Sequence, residues 1–307
     1  MAFFSLVLAL LLEQWRPLSD RRSLFVPVER YARFLERQFN AGESQHGAIA
    51  WVCAVVPAAL IAWLVYALLL RTSPLLALAF DVGALYLTLG FRQFSHYFTD
   101  IQLALREDDL PRARSLLETW RAEPCETLSR EEVVRLAIEE ALAGAHRHVF
   151  AVMFWFIVLP GPAGAVLYRL AYFLKERWGP QLGPELERFG RFPALAFAVL
   201  DWVPARLTAI TFAIVGDFED AVYCWRSQSE QWGDPTTGVV LAAGAGALGV
   251  KLGNPYACRG TLVERPELGL GELADSAFLD STVGLVWRSL VLWLALVLIV
   301  SAAHAVA

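Results

Sequence analysis

Long apolar runs separated by polar stretches dominate the pattern of this chain. A helix needs about 20 apolar residues to cross the hydrocarbon core of a membrane. Runs of that kind predict about five transmembrane helices, and the second run is the shortest. They lie at residues 47–70, 75–91, 149–174, 193–216 and 284–303. The pattern therefore predicts an all-α fold, a polytopic membrane helix bundle.

The polar stretches predict what surrounds the bundle. Residues 92–148 and 217–283 form two large regions, which we expect to be helical and cytoplasmic. Residues 1–46 form an amphipathic amino-terminal segment, because apolar positions recur at helical spacing. Its apolar start, Ala2–Leu12, is too short to span alone. We expect this start to lie in the interface or against the bundle, with a sixth crossing as the alternative, and we predict one domain over residues 1–307.

Local signals mark where helices begin and break. Ser129 stands three residues before Glu132, which is the spacing of a capping box. The Pro160–Pro162 stretch predicts an interruption of the third membrane helix, which is tolerated at that depth only where other groups satisfy the backbone. The glycines of residues 244–253 predict close helix contact or the close approach of a ligand.

The distribution of charge excludes some classes of partner. A net charge of −5 is mild and argues against nucleic acid. Basic residues concentrate in 16–37, 92–147 and 226–265, which predicts a cytoplasmic location for these segments. The four cysteines are widely spaced, and we expect them to be free thiols.

Asp201 and Arg206 lie in one apolar run. Ionisable groups inside a membrane are costly and are functional candidates. Their alternative role is structural, with the two groups paired to each other. We keep both interpretations open.

The end of the charged helix before the third apolar run carries further candidates. Glu139 and Glu140 could bind Mg²⁺ or act as acid and base, or they could be surface charge. His146 and His148 point to different helix faces, so no shared metal site is expected there. Their alternative role is a solvated basic collar. The sequence has no phosphate-binding loop of the G-x-x-x-x-G-K-[ST] type.

Several motifs in one order resemble the CobD/CbiB membrane family. They are SREEVVRLAIEEALAGAHRHVFAVMFW, PGPAGAVLYRL, PARLTA and AAGAGALGVKLGNP, all between roughly residues 90 and 270. The family's enzymes join an aminopropanol phosphate to the last free carboxylate of a corrinoid, late in cobalamin assembly. The resemblance therefore implies an adenosylcobinamide-phosphate synthase, which would use Mg²⁺ and ATP or another nucleotide.

The chain departs from the enzymes' pattern at positions where they carry asparagine, aspartate or glutamate. Those positions hold Ala143, Gly144, Arg147, Tyr172, Lys175 and Asp201. Loss of such groups weakens the binding of metal and phosphate, whereas the apolar framework is kept. The combination resembles the AmpE-like branch of the superfamily, which is linked to β-lactamase regulation. We therefore expect a regulatory or binding protein of the bacterial inner membrane without a cofactor. A divergent synthase is the alternative, and a transporter for a small anion is the third hypothesis.

The resemblance and the charge pattern together give a set of ligand-binding candidates. We expect a small phosphorylated or corrinoid ligand at the cytoplasmic face, the lipid bilayer as the other partner, and no metal ligand. In a divergent synthase the two histidines and Asp201 would replace the lost groups. The oligomeric state is left open, a homo-oligomer included, and no catalytic residue is assigned. The candidates are Arg130, Arg135, Glu139, His146, His148, Asp201, Arg206, Lys251 and Asn254.

Overall fold

The computed structural model describes residues 1–16, 21–40, 43–179, 183, 186–258 and 261–306, and most of them are helical. The described residues form two compact units, and one domain over the whole chain stays a prediction. The first unit comprises residues 1–89, 151–202 and the carboxyl-terminal residues from 301, and the second comprises residues 90–150 and 203–300.

The α-helices are numbered in chain order. Their bounds are α1 Ala2–Trp15, α2 Arg21–Phe39, α3 Ser44–Thr72, α4 Pro74–Thr88, α5 Phe91–Arg106, α6 Leu110–Arg121, α7 Arg130–Ala145, α8 Ala151–Val158, α9 Ala163–Trp178, α10 Arg191–Val215, α11 Phe218–Gln228, α12 Pro235–Leu248 and α13 Ser276–Val306. Between α12 and α13, the described residues form five short strands. They are β1 Val250–Gly253, β2 Tyr256–Cys258, β3 Thr261–Val263, β4 Glu267–Leu268 and β5 Glu272–Leu273.

The membrane helix bundle predicted from the apolar runs is confirmed. Within the described residues, 4 helices are long and apolar enough to cross a membrane: Ser44–Thr72, Arg130–Val158, Arg191–Val215 and Ser276–Ala303. The predicted crossing at 75–91 corresponds to α4, which has only 15 residues. The predicted crossing at 149–174 is not one helix.

That segment is divided between two helices. α7 continues through a π-helical turn, His146–Phe150, into α8, so the charged and apolar halves form one helix. α8 ends at Val158, and α9 packs back against it. A Cβ at Gly164 would lie 1.9 Å from the carbonyl oxygen of Trp155, so this close approach requires glycine. The interruption predicted at Pro160–Pro162 is confirmed.

The first unit packs the amphipathic segment against apolar helices. α1 lies along α4, and the hydroxyl of Ser5 donates to a carboxylate oxygen of Asp81 at 3.4 Å. α2 buries Ala32 and Leu35 in one cluster with Trp178 and Phe189. The outer face of α3 exposes large aliphatic side chains along its length, as a lipid-facing helix does.

The second unit combines helices with two small sheets. α5, α6 and α7 pack together, and α12 packs against both α7 and α11. β1 is the central strand of a three-stranded sheet in the order β4-β1-β5, antiparallel to β4 and parallel to β5. β2 and β3 form a separate antiparallel pair. The expectation that residues 217–283 are helical is thus wrong for the part after α12, where strands of two to four residues are too short to show an alternating pattern.

Candidate functional site

The candidate site is a buried cluster of arginines and carboxylates in the second unit. It is built on α7, whose start is fixed by a capping box between Ser129 and Glu132. One turn apart on this helix, Arg135 and Glu139 are 5% and 3% exposed. The other members come from the end of α6 and from the chain between β1 and β4. Burial of ionised groups is costly unless each is paired, so the partners define the site.

The carboxylate of Glu139 is fully engaged. Arg265 donates to its two oxygens at 2.6 and 3.3 Å, and the backbone N–H of Gly253 donates at 2.9 Å. The Arg265 guanidinium also lies over the rings of Tyr256 and Trp232, 4.7 and 5.2 Å from their centroids. Such two-pronged charge-assisted bonding holds the strands of this unit against α7. The interpretation of Glu139 as surface charge is therefore wrong.

A second network lies beside the first and shares Tyr256 with it. Arg121 donates to Glu140 at 2.8 Å, to Glu123 at 2.9 Å and to the hydroxyl of Tyr256 at 3.2 Å. The Tyr256 hydroxyl in turn donates to Glu123 at 3.1 Å. Burial raises the pKa of Glu123, but the hydrogen bond and charge of Arg121 outweigh it, so the net pKa is lowered. Burial is the main cause that raises the pKa of Tyr256.

Arg135 differs from the other arginines of the cluster. Its one hydrogen bond within the described residues goes to the carbonyl oxygen of Pro255 at 3.4 Å, and its buried Nε has no partner there. Pro255 follows two residues with left-handed backbone, Gly253 with φ 74° and Asn254 with φ 65°. This turn points the Pro255 carbonyl at Arg135.

Lys251 and Asn254 lie at the partly exposed rim of the same cluster. The Lys251 ammonium is 3.3 Å from one oxygen of Glu267, and the Asn254 side-chain amide donates to the other at 3.3 Å. The structure therefore brings four predicted candidates together: Arg135, Glu139, Lys251 and Asn254.

The histidine candidates lie further along the same helix. His146 is 1% exposed, and its Nδ1 is 3.0 Å from the hydroxyl oxygen of Thr208. Arg147 donates to the hydroxyl of Thr237 at 2.6 Å. The solvated basic collar is thus wrong for His146. The π-helical turn that contains His146 and His148 is a distortion often found at functional sites.

The remaining candidates lie apart from the cluster. Arg130 donates to Asp108 and to the carbonyl of Leu105, where α5 ends. Asp201 belongs to the first unit and accepts a hydrogen bond from the Tyr168 hydroxyl at 2.7 Å. Arg206 belongs to the second unit and is half-buried.

Four members of the cluster were missed by reasoning from the sequence. Arg121 and Glu123 lie at and just beyond the end of α6, and Tyr256 and Arg265 lie among the short strands after α12. The available signal was the Glu139–Glu140 pair in an otherwise apolar stretch of α7, since buried carboxylates need cationic partners.

The cluster does not fit a metal ion held by protein groups alone. The described ranges contain no group of 3 or more histidine, cysteine, aspartate or glutamate side chains positioned for one. Glu139 and Glu140 each face an arginine instead. Mg²⁺ needs several oxygen ligands and often takes them from substrate phosphates.

The chain is similar to known proteins over most of its length. The family model described as "CobD/Cbib protein" matches residues 6–286. "Cobalamin biosynthesis protein CobD" of Stutzerimonas stutzeri (strain A1501) is 38% identical over 300 residues, which cover 96% of this chain and 97% of that protein. The protein of the same name from Chromobacterium violaceum is 38% identical over 263 residues, covering 84% of this chain and 82% of its own.

More distant relatives carry a related name. "Cobalamin biosynthesis protein CbiB" of Salmonella typhimurium (strain LT2) is 26% identical over 259 residues, which are 82% of this chain and 80% of that protein. No solved structure matches the chain at a significant level.

These relatives contradict the expected AmpE-like regulator. The 38% identity to proteins named for cobalamin biosynthesis extends over most of the chain, and none of the relatives named above is described as a regulator of β-lactamase. The error came from a few replaced polar residues, which were given more weight than the sequence as a whole. Other charged groups contact α7 and are not among the replaced residues. They include Arg121, which bonds Glu140, and Arg265, which bonds Glu139.

Proposed function

Since the chain belongs to the CobD/CbiB family, we propose that it is a synthase of cobalamin biosynthesis. It joins a corrinoid carboxylate to the amine of aminopropanol phosphate, as an adenosylcobinamide-phosphate synthase does. The observation that carries the proposal is the 38% identity with the CobD protein of Stutzerimonas stutzeri over 96% of this chain. Similarity over that length supports the same reaction in both proteins, and not only the same fold.

The reaction sets requirements that the cluster can meet. Both substrates bring anionic groups, a carboxylate and a phosphate, and guanidinium groups bind such oxyanions with two parallel hydrogen bonds. The amine must lose a proton when the C–N bond forms. Glu140 accepts that proton, because its side chain is 32% exposed whereas Glu139 is 4% exposed and saturated by Arg265 and Gly253.

Amide formation also needs a co-reactant. A carboxylate and an amine release water when they condense, which is unfavourable in aqueous solution. A nucleoside triphosphate such as ATP drives the reaction by transferring its terminal phosphoryl group to a carboxylate oxygen, with release of the nucleoside diphosphate. The amine then attacks the activated carbonyl carbon, and phosphate leaves with the former carboxylate oxygen. The nucleotide and any accompanying Mg²⁺ are part of the proposal, with the metal bound chiefly by phosphate oxygens.

The proposal includes a location. The four apolar helices make the chain a membrane protein, and we place it in the bacterial inner membrane. The basic residues of 92–147 and 226–265 support a cytoplasmic position for the second unit's cluster. The phosphorylated and corrinoid substrates would reach it from that side.

Genetic complementation tests the proposed function. The chain is expressed in a strain that lacks its amide-forming synthase, and cobalamin production is measured together with the amount of protein in the membrane. We expect wild type to restore production and the Glu140→Gln variant to fail. The matched control is Arg112→Gln, which removes an exposed ion pair with Glu107 and should restore production fully. A wild-type protein that reaches the membrane without restoring cobalamin would contradict the proposal.

A further inference from the structure

Arg135 is a buried cation without a counterion in its own unit. The residue is 5% exposed, and no carboxylate of the described residues forms an ion pair with it. A long hydrogen bond to the Pro255 carbonyl uses one of its five N–H donors. Burial of an ionised group on these terms is strongly unfavourable unless another anion compensates it.

The nearest candidate partner on the helix is already occupied. Glu139 follows Arg135 by four residues, which is the spacing at which helical ion pairs form. Arg265 takes both Glu139 oxygens, and the Gly253 N–H takes one of them as well. The carboxylate one helical turn from Arg135 is therefore paired with Arg265 and not with Arg135.

The turn beside Arg135 is held in an unusual conformation. Asn254 has a left-handed backbone directly after Gly253, which has one too. A non-glycine residue in this region is a form of stored strain that often accompanies ligand sites. Lys251, on the strand that leads into this turn, adds a half-exposed cation that pairs with Glu267 at 3.3 Å.

We propose that Arg135 and the turn from Gly253 to Tyr256 form a binding subsite for the phosphate group of a substrate. The guanidinium supplies parallel N–H donors to two phosphate oxygens, and the bound dianion replaces the missing counterion. The inference rests on the proposed function for the identity of the ligand, and deepens it by assigning one substrate group to one side chain. Two sources carry the same chemistry, the phosphorylated aminopropanol and the nucleotide.

Binding to the purified full-length protein tests the subsite. The probes are inorganic phosphate, aminopropanol phosphate, unphosphorylated aminopropanol and ATP, each titrated by calorimetry and by the shift of the melting temperature. We expect the wild-type protein to bind aminopropanol phosphate or ATP and to show no binding of unphosphorylated aminopropanol. Arg135→Gln should weaken binding by about 10- to 100-fold, since it removes charge-assisted hydrogen bonds. The probe that loses affinity identifies the source of the phosphate.

Two further variants keep the test decisive. Arg135→Lys retains the charge but loses the planar fork, so it should fold and bind with an intermediate affinity. Arg112→Gln, an exposed arginine outside the cluster, should bind as wild type does. Without any probe, Arg135→Gln should melt at or above the wild-type temperature, because an uncompensated buried charge has been removed.

The outcomes separate this inference from the proposed function. If Arg135→Gln and Arg135→Lys bind every phosphate probe as tightly as wild type, the subsite is wrong even where amide synthesis is intact. If phosphate binding depends on Arg135 while complementation fails, the subsite stands and the proposed reaction falls. A large loss of melting temperature in Arg135→Gln without probe, with unchanged affinity, would show a purely structural arginine and overturn the inference.

Discussion

Arg265 and Glu139 lie 126 positions apart in the chain and meet through two hydrogen bonds of 2.6 and 3.3 Å. Their side chains are 13% and 4% exposed, so the pair is shielded from water. Arg265 also bonds the Gly253 carbonyl at 3.3 Å, next to the N–H that Glu139 accepts. The pair therefore fastens the turn after β1 to the face of α7.

Removing one member of this pair should destabilise the second unit strongly. Arg265→Gln leaves the buried Glu139 carboxylate without its counterion, which costs about 3–5 kcal/mol in comparable buried pairs. The free energy of unfolding, measured in detergent, checks the loss. The double variant Arg265→Gln with Glu139→Gln should recover a large part of it, because no buried charge is then left alone. Equal losses in the single and double variants would contradict this account.

The sequence was sufficient for the parts of the fold that depend on local pattern. The apolar runs predicted the membrane helices, the Ser129–Glu132 spacing predicted a helix start, and Pro160–Pro162 predicted a break. Each signal lies within a few residues of the feature it predicts. The path after the break was not predictable, because α9 packs back on α8 through a contact between Gly164 and Trp155 that no periodicity encodes.

The candidate site shows the limit of local signals more sharply. Arg135 and Glu139 were found because they lie in a motif that resembles the CobD/CbiB family. Arg121 and Arg265 were missed because their roles depend on contacts with residues 19 and 126 positions away. The short strands that carry the turn at Gly253 and Asn254 had no alternating pattern either. Long-range pairing of charges fixes this site, and one sequence does not reveal it.

A hydroxyl from α2 compensates a proline in α3. Pro57 has no N–H, so the Cys53 carbonyl four residues earlier lacks its helical donor, and the Tyr31 hydroxyl donates to it at 3.3 Å. Tyr31→Phe should cost about 1 kcal/mol. The same substitution made together with Pro57→Ala should cost less, because the restored N–H satisfies the carbonyl. A double-mutant cycle of melting in detergent measures the coupling, and additive effects would show that the hydroxyl has no such role.

Two helical glycines offer a matched comparison of packing. A Cβ at Gly246 in α12 would lie 2.4 Å from the backbone carbonyl oxygen of Asp220 in α11, whereas one at Gly284 in α13 would meet nothing within 4 Å. Gly246→Ala must push two backbones apart and should destabilise by about 1–3 kcal/mol. Gly284→Ala should be neutral or stabilise by up to about 1 kcal/mol, since alanine favours helix. Melting temperatures of the two variants test the difference, and a tolerated alanine at 246 would refute the close contact.

The contact between Arg121 and Glu123 should make stability depend on pH. Burial alone would raise the pKa of Glu123, but the hydrogen bond and charge of Arg121 lower it overall. A carboxyl whose pKa is lower in the folded state stabilises the protein above the unfolded value, about 4.3 for glutamate. This contribution disappears as the pH falls through the lower folded value. The melting temperature of wild type should therefore exceed that of Glu123→Gln at pH 7, and the two curves of melting temperature against pH should converge under acid conditions.

Glu107→Gln serves as the control for this prediction, because loss of its exposed pair with Arg112 should change the curve little. A difference between wild type and Glu123→Gln that grows on acidification would mean that Arg121 does not stabilise the ionised carboxylate.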